Sequence, residues 1–163
     1  MTVDTQSRPE SPDQSPEHLR LRLWVRLLRA ARPIEAELRR RLTQEFGITL
    51  PKFDVMAALA RREAGMTMTE VSRLLMVSNG NVTGLVDRLV AEGLVMRTAN
   101  EKDRRATFVR LTRKGLRLFE TMAEAHERWV NEILGPFSDA QSEATISLLD
   151  ALRAETQAGE RKR

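Results

Sequence analysis

Residues 67–95 read TMTEVSRLLMVSNGNVTGLVDRLVAEGLV, and this stretch decides the fold. Thr67 with Glu70 three residues later is a capping-box pattern, in which hydroxyl and carboxylate satisfy the first free amides of a helix. Val71, Leu74 and Leu75 give that helix an apolar face. After a break at Met76-Val77, Ser78 is placed to cap a second helix. Val82, Leu85, Val86, Leu89 and Val90 form its stripe, and Gly93 ends it. Two short helices joined by a tight turn are a helix-turn-helix signature. Two β-like runs follow, Leu94–Ala99 and Thr107–Leu111, separated by the charged loop Asn100-Glu101-Lys102-Asp103-Arg104-Arg105. A hairpin with a charged tip after a helix-turn-helix is a wing.

Helical periodicity continues on both sides. From His18 to Phe46, Trp24, Leu27, Leu28, Ala31, Ile34, Leu38, Leu42 and Phe46 recur at helical spacing, with Gly47 as the stop. Arg32, Arg39, Arg40 and Arg41 form the solvent side, and Pro33 allows a kink or a split into two helices. Pro51 suits the first turn of a helix running to about Arg62, with Phe53, Met56, Leu59 and Ala60 inward. Thr112 is placed to cap a long helix carrying Leu116, Phe119, Met122, Ala123, His126, Val130 and Ile133 inward. Gly135-Pro136 stops it, and Ser138 with Gln141 opens a last helix with Ile146, Leu149, Leu152 and Leu148 on its apolar side. The expected fold is mainly α with a small β-wing.

Composition removes several function classes. The 163 residues contain no Cys, which excludes disulfides, thiol nucleophiles, thiol oxidation switches and thiolate metal sites together. Two His without Cys make a dedicated zinc centre a poor fit. No phosphate-cradling glycine loop and no nucleophile–base pair is visible, so neither an enzyme nor a bound cofactor is expected. No apolar run approaches a membrane span, and a cytoplasmic location is expected. Residues 1–16 hold three Pro and three Ser and read as a disordered tail with a charge of −2. The net +4 of the chain therefore belongs to the rest, and Lys52, Lys102, Lys114 and Lys162 are its only lysines among 27 basic residues.

The segments LPKFDVMAAL (50–59), MTEVSRLLMVSNGNVTGLVDRLVAEGLV (68–95) and DRRATFVRLTRKG (103–115) resemble the MarR family of winged helix-turn-helix transcription regulators. The resemblance spans about residues 18–155. It implies a homodimer joined through the first and the last two helices, a palindromic double-stranded DNA operator, and release by a small ligand. The expected division is 1–16 tail, 17–48 N-terminal dimerisation helix, 49–113 DNA-binding domain, 114–158 C-terminal dimerisation helices and 159–163 basic tail. Repression is the expected mode, from family habit.

A recognition helix presents its N-terminal, outward side to the major groove. Here that side is Ser78, Asn79, Gly80, Asn81, Thr83 and Gly84. Asn81 suits an adenine edge, while Ser78, Asn79 and Thr83 suit phosphates or mixed contacts. Gly80 and Gly84 lower helix propensity, and close approach of the backbone to DNA is one compensating reason. Arg88 either reaches a phosphate or pairs with Asp87 or Glu92, and Asp87 is expected to orient an arginine. In the wing, the resemblance sends Arg105 into the minor groove beside Arg104, with Asp103 holding an arginine in place. Arg113 and Lys114 are expected phosphate contacts.

The family's ligand site lies between the dimerisation and DNA-binding lobes. Candidate lining residues are Trp24 and Arg26 on the first helix, Phe53 and Met56 on the second, and Phe119, His126 and Trp129 on the fifth. Aromatic and Met residues at helical spacing equally serve core or dimer packing. LWVRLLRA, FDVMAAL, VSNGNVTGLVDRLV and AHERWV further resemble the MarR subgroup that controls hydroxycinnamate and related aromatic-acid catabolism. That subgroup responds to aryl-CoA thioesters such as p-coumaroyl-CoA. In that case arginines would pair with CoA phosphates, and Arg20, Arg22, Arg26 and Arg29 are near the right helix. A regulator of drug or stress genes, or a ligand-independent DNA binder, is the alternative.

Overall fold

The computed structural model describes residues 15–99 and 107–160, with side chains left aside for Ala99 and 156–160. Six helices and three short strands follow in the order α1 (Pro16–Phe46), α2 (Leu50–Ala60), β1 (Met66–Thr67), α3 (Met68–Leu75), α4 (Asn79–Ala91), β2 (Val95–Ala99), β3 (Thr107–Leu111), α5 (Arg113–Leu134) and α6 (Asp139–Glu160). The sheet is antiparallel in the order β1-β3-β2, with Val95 opposite Leu111 and Arg97 opposite Val109.

Local chemistry sets most boundaries. Ser15 caps α1 by accepting the His18 amide at 3.2 Å, so the helix starts at Pro16, two residues earlier than periodicity implied. Pro33 does not split it; α1 runs 31 residues to Gly47, whose φ of 65° and amide bond to the Thr43 carbonyl end the last turn. The Thr67–Glu70 capping box is complete at the start of α3. Between α3 and α4 the chain turns through Met76 in left-handed backbone, φ 54° and ψ 37°. The Ser72 hydroxyl donates to the Val77 carbonyl at 2.5 Å and the Val77 amide to the Ser72 carbonyl at 3.2 Å, which clamps the turn.

One core is shared by α1 to α5 and the three strands. Val55, Met56, Val71, Val82, Val86, Leu89, Val109 and Met122 have no exposed surface. At about 25 cal/mol per Å² of apolar area removed from water, each of these side chains contributes roughly 1.5–3 kcal/mol before entropy is counted. Several positions differ from the periodic reading. Leu116 and Val90 are exposed while Ala125 and Trp129 are buried, because α5 turns the Met122–Ala125–Trp129 side toward α1 and α2. Along α1 only the second half is covered: Leu38 and Leu42 are buried, Ile34 and Phe46 partly so, and Trp24 is 57 % exposed. On the Arg-rich side of α1, Arg32, Arg39 and Arg40 are exposed as the pattern implies, and only Arg41 is partly covered. Arg41 reaches Glu37 at 2.7 Å and Glu132 of α5 at 2.6 Å, and its guanidinium lies 5.9 Å from the Trp129 ring centre.

A joint ties α4, β2 and α5 together. The Thr112 hydroxyl donates to the Gly93 carbonyl at 2.8 Å, and its amide donates to the Leu94 carbonyl at 3.0 Å. The same hydroxyl accepts the Gly115 amide at 2.9 Å as the cap of α5. Lys114 Nζ donates to the Glu92 carbonyl at 3.0 Å.

Candidate nucleic-acid interface

α4 is divided by its sequence into two faces. Val82, Val86 and Leu89 face the core with no exposed surface, which fixes the rotation of the helix. Ser78, Asn79, Gly80, Asn81, Thr83, Asp87 and Arg88 are consequently exposed and Gly84 is partly so. Ser78 does cap the helix, accepting the Asn81 amide at 3.4 Å. The Thr83 hydroxyl donates to the Asn79 carbonyl at 2.9 Å, leaving its oxygen free to accept. Pro51, Val77, Gly80, Asn81, Gly84, Leu85 and Arg88 together line a shallow groove between α4 and the start of α2. The helix start also concentrates free amides and the positive end of the helix dipole on this side, which favours phosphate.

Electrostatic pairing sorts the charged residues. Asp87 takes Arg97 of β2 at 2.7 Å, so the arginine that Asp87 orients comes from the wing strand and not from its own helix. Glu92 is taken by Lys52 of α2. Both acidic neighbours of Arg88 are thus engaged elsewhere, and Arg88 makes no ion pair among the described residues. Arg113 is exposed at the first turn of α5, and Lys114 beside it bridges to Glu92. Asp103, Arg104 and Arg105 lie outside the described residues. Sequence reasoning missed Arg97; its signal was the unassigned partner of Asp87.

The expected ligand residues fall into separate places. Phe53, Phe119 and His126 come together where α2 meets α5: the Phe53 and His126 rings stack at 4.9 Å, and Phe53 and Phe119 lie 5.7 Å apart. Burial pushes the His126 imidazole below its ordinary value. Met56 is fully buried in the core. Trp129 packs instead on Phe46, 6.2 Å away, on the α1 side of α5. Trp24 and Arg26 stand exposed on the uncovered half of α1, where Leu21, Arg22, Val25, Arg26, Arg29 and Ala30 line an open groove.

Residues 46–106 match the sequence profile of the MarR family. The transcriptional activatory protein BadR of Rhodopseudomonas palustris is 35 % identical over 120 residues, covering 72 % of this chain and 68 % of BadR. The chain belongs to the MarR family. A MarR family transcriptional regulator from Silicibacter pomeroyi superposes with a TM-score of 0.70 at 35 % identity, over 91 % of this chain and 99 % of that one. A mutant MarR of Escherichia coli complexed with operator DNA shares the fold, with a TM-score of 0.73 at 24 % identity over 85 % and 99 % of the two chains. This MarR-family protein is a DNA-binding transcriptional regulator and not an enzyme. No helix among its described residues is long and apolar enough to cross a membrane.

Proposed function

We propose that this MarR-family protein is a homodimeric repressor that grips a palindromic operator with α4 and the wing of each protomer. An aromatic ligand or aryl-CoA thioester releases it, placing it over aromatic-acid catabolic genes. Residues 49–113 read DNA, and residues 17–48 and 114–158 join the protomers. The partition of α4 carries the DNA half of the reading. A face without a single apolar side chain larger than Val77 or Leu85 at its edge, rich in amide and hydroxyl groups, is held outward by a fully buried opposite face. On it Asn81 addresses a base edge, Ser78, Asn79 and Thr83 address phosphates or bases, and Arg88 a phosphate. Arg113 and Lys114 add phosphate contacts, Arg104 and Arg105 enter the minor groove, and Asp103 steadies them.

The ligand half rests on two features. The Phe53–Phe119–His126 cluster packs aromatic rings at the seam between α2 and α5. The α1 groove offers Arg22, Arg26 and Arg29 beside apolar Leu21 and Val25, a surface suited to a ligand with both phosphate and apolar parts. Trp24 next to that groove, the buried Met56 of α2, and Trp129 on the α1 side of α5 complete the set. Activation is the second reading, favoured by the relative described as an activatory protein.

The test uses the duplex that the protein itself enriches from a random library. Arg105→Ala lowers affinity for that duplex by about tenfold or more and leaves the oligomeric state intact; unchanged affinity at moderate salt overturns the wing assignment. In the same assay p-coumaroyl-CoA weakens binding and p-coumaric acid does not. Absence of any thioester effect at micromolar concentration removes the aryl-CoA reading and leaves the DNA reading standing.

A further inference from the structure

The seven glycines from Gly47 to Gly135 divide by what their missing side chain does. At Gly115 an added Cβ would sit 1.9 Å from the Leu94 carbonyl oxygen, and at Gly135 3.2 Å from the Asn131 carbonyl. Gly47, Gly65 and Gly93 have φ between 65° and 87°. Each of these five has a reason internal to the protomer. Gly80 and Gly84 have none: φ is not positive at either, and a Cβ at either would meet nothing within 4 Å. Gly84 stands inside α4, where a glycine costs more helix propensity than almost any other residue, and Gly80 stands in its first turn. They are one turn apart on the exposed face and line the same groove as Asn81 and Arg88.

Two destabilising residues, stacked on one face and unneeded by the fold, point to a body outside the protomer. We propose that Gly80 and Gly84 form a bare lane along the recognition helix that lets its backbone settle against the DNA, and that they are specificity-determining positions of this protein. With no Cβ on that lane the helix axis lies closer to the groove floor. The short Asn81 amide then reaches a base edge that a longer standoff would put out of range. Arg88, one turn beyond Gly84, marks the end of the lane where the side chain again needs length to span to a phosphate. The lane rests on the DNA-reading role proposed for α4 and deepens it, from which residues touch DNA to how closely the helix itself approaches.

The proposal predicts stability and binding moving in opposite directions. Gly80→Ala, Gly84→Ala and the double variant are compared with the unaltered protein in thermal unfolding. Their binding is then measured to the duplex the unaltered protein selects and to a mixed-sequence duplex. The expected result is a melting midpoint that holds or rises, because alanine favours the helix. Affinity for the selected duplex falls about tenfold for a single substitution and further for the double, while binding to mixed-sequence DNA changes less than about threefold. Affinity for the selected duplex within about twofold of the parent overturns the lane and leaves the DNA reading of α4 intact. A midpoint that falls together with affinity also overturns it, since the glycines would then serve the fold. Failure of the unaltered protein to enrich any sequence removes the DNA reading itself, and the lane with it.

Discussion

Gly115 shows how a single missing methyl group can hold an architecture together. Its Cα side faces the Leu94 carbonyl so closely that a Cβ would lie 1.9 Å from the oxygen, 2.8 Å from the carbon and 3.2 Å from the Leu94 Cα. All three are backbone atoms at the joint of α4 and β2, and none can swing aside. Gly115→Ala therefore destabilises the protein by about 3 kcal/mol, read from urea unfolding; a loss under about 1 kcal/mol would mean the joint yields. In the sequence Gly115 stood only as part of a family-like block, because the atoms that forbid a side chain there come from a distant segment. Ser78 and Thr67 were legible for the opposite reason: their partners, Asn81 and Glu70, are three residues away.

Elements with a strong local grammar were read close to their true bounds. The capped helices α3 and α4, the two wing strands and the Thr112 start of α5 follow from caps and periodicity alone. β1 did not, since two residues carry no period and Met66 and Thr67 are strand only through pairing with Val109 and Phe108. The role of α1's arginines was also hidden, because their partners sit partly on another helix. Glu37 accepts from Arg40 and Arg41, and these two hydrogen bonds, Arg40 first, hold its carboxyl down from 4.5 to about 2. A carboxylate whose value falls on folding adds stability above its unfolded value, which is lost as pH drops through the folded one. Glu37→Gln should thus lower the melting midpoint at neutral pH, and the gap to the parent should close between pH 4.5 and about 2. A gap constant across that range would show that Glu37 acts by shape and not by charge. Its surroundings are open to solvent, so the effect should also shrink in high salt.

At the scale of the whole molecule, two helices carry runs of uncovered apolar side chains among the described residues. Leu19, Leu21, Leu23 and Trp24 on α1, and Ile146, Leu148 and Leu149 on α6, are between 45 % and 73 % exposed. Periodicity marked Trp24 and the three α6 positions as inward, and they have no core of their own protomer to enter. A second copy supplies one under the dimer reading, and two α4 helices then address half-sites a helical turn apart. Ile146→Glu with Leu148→Glu should convert the dimer to a folded monomer in sedimentation. Affinity for the selected duplex should drop by roughly 100-fold, since linked half-sites bind by avidity. A dimer that survives both charges would place the interface elsewhere.

The joint at Glu92–Leu94 has a mechanical meaning. Thr112, Lys114 and Gly115 fasten the first turn of α5 to the end of α4 and the start of β2. α4 and the β2–β3 pair are thus mounted at the start of α5, a single rod of 22 residues, about 33 Å long at 1.5 Å per residue. A tilt of about 10° about the far end of that rod carries its tip through about 6 Å, half the width of a major groove. Under the DNA reading proposed for α4 and the wing, such a tilt would carry them off a site with no melted segment and no rearranged helix.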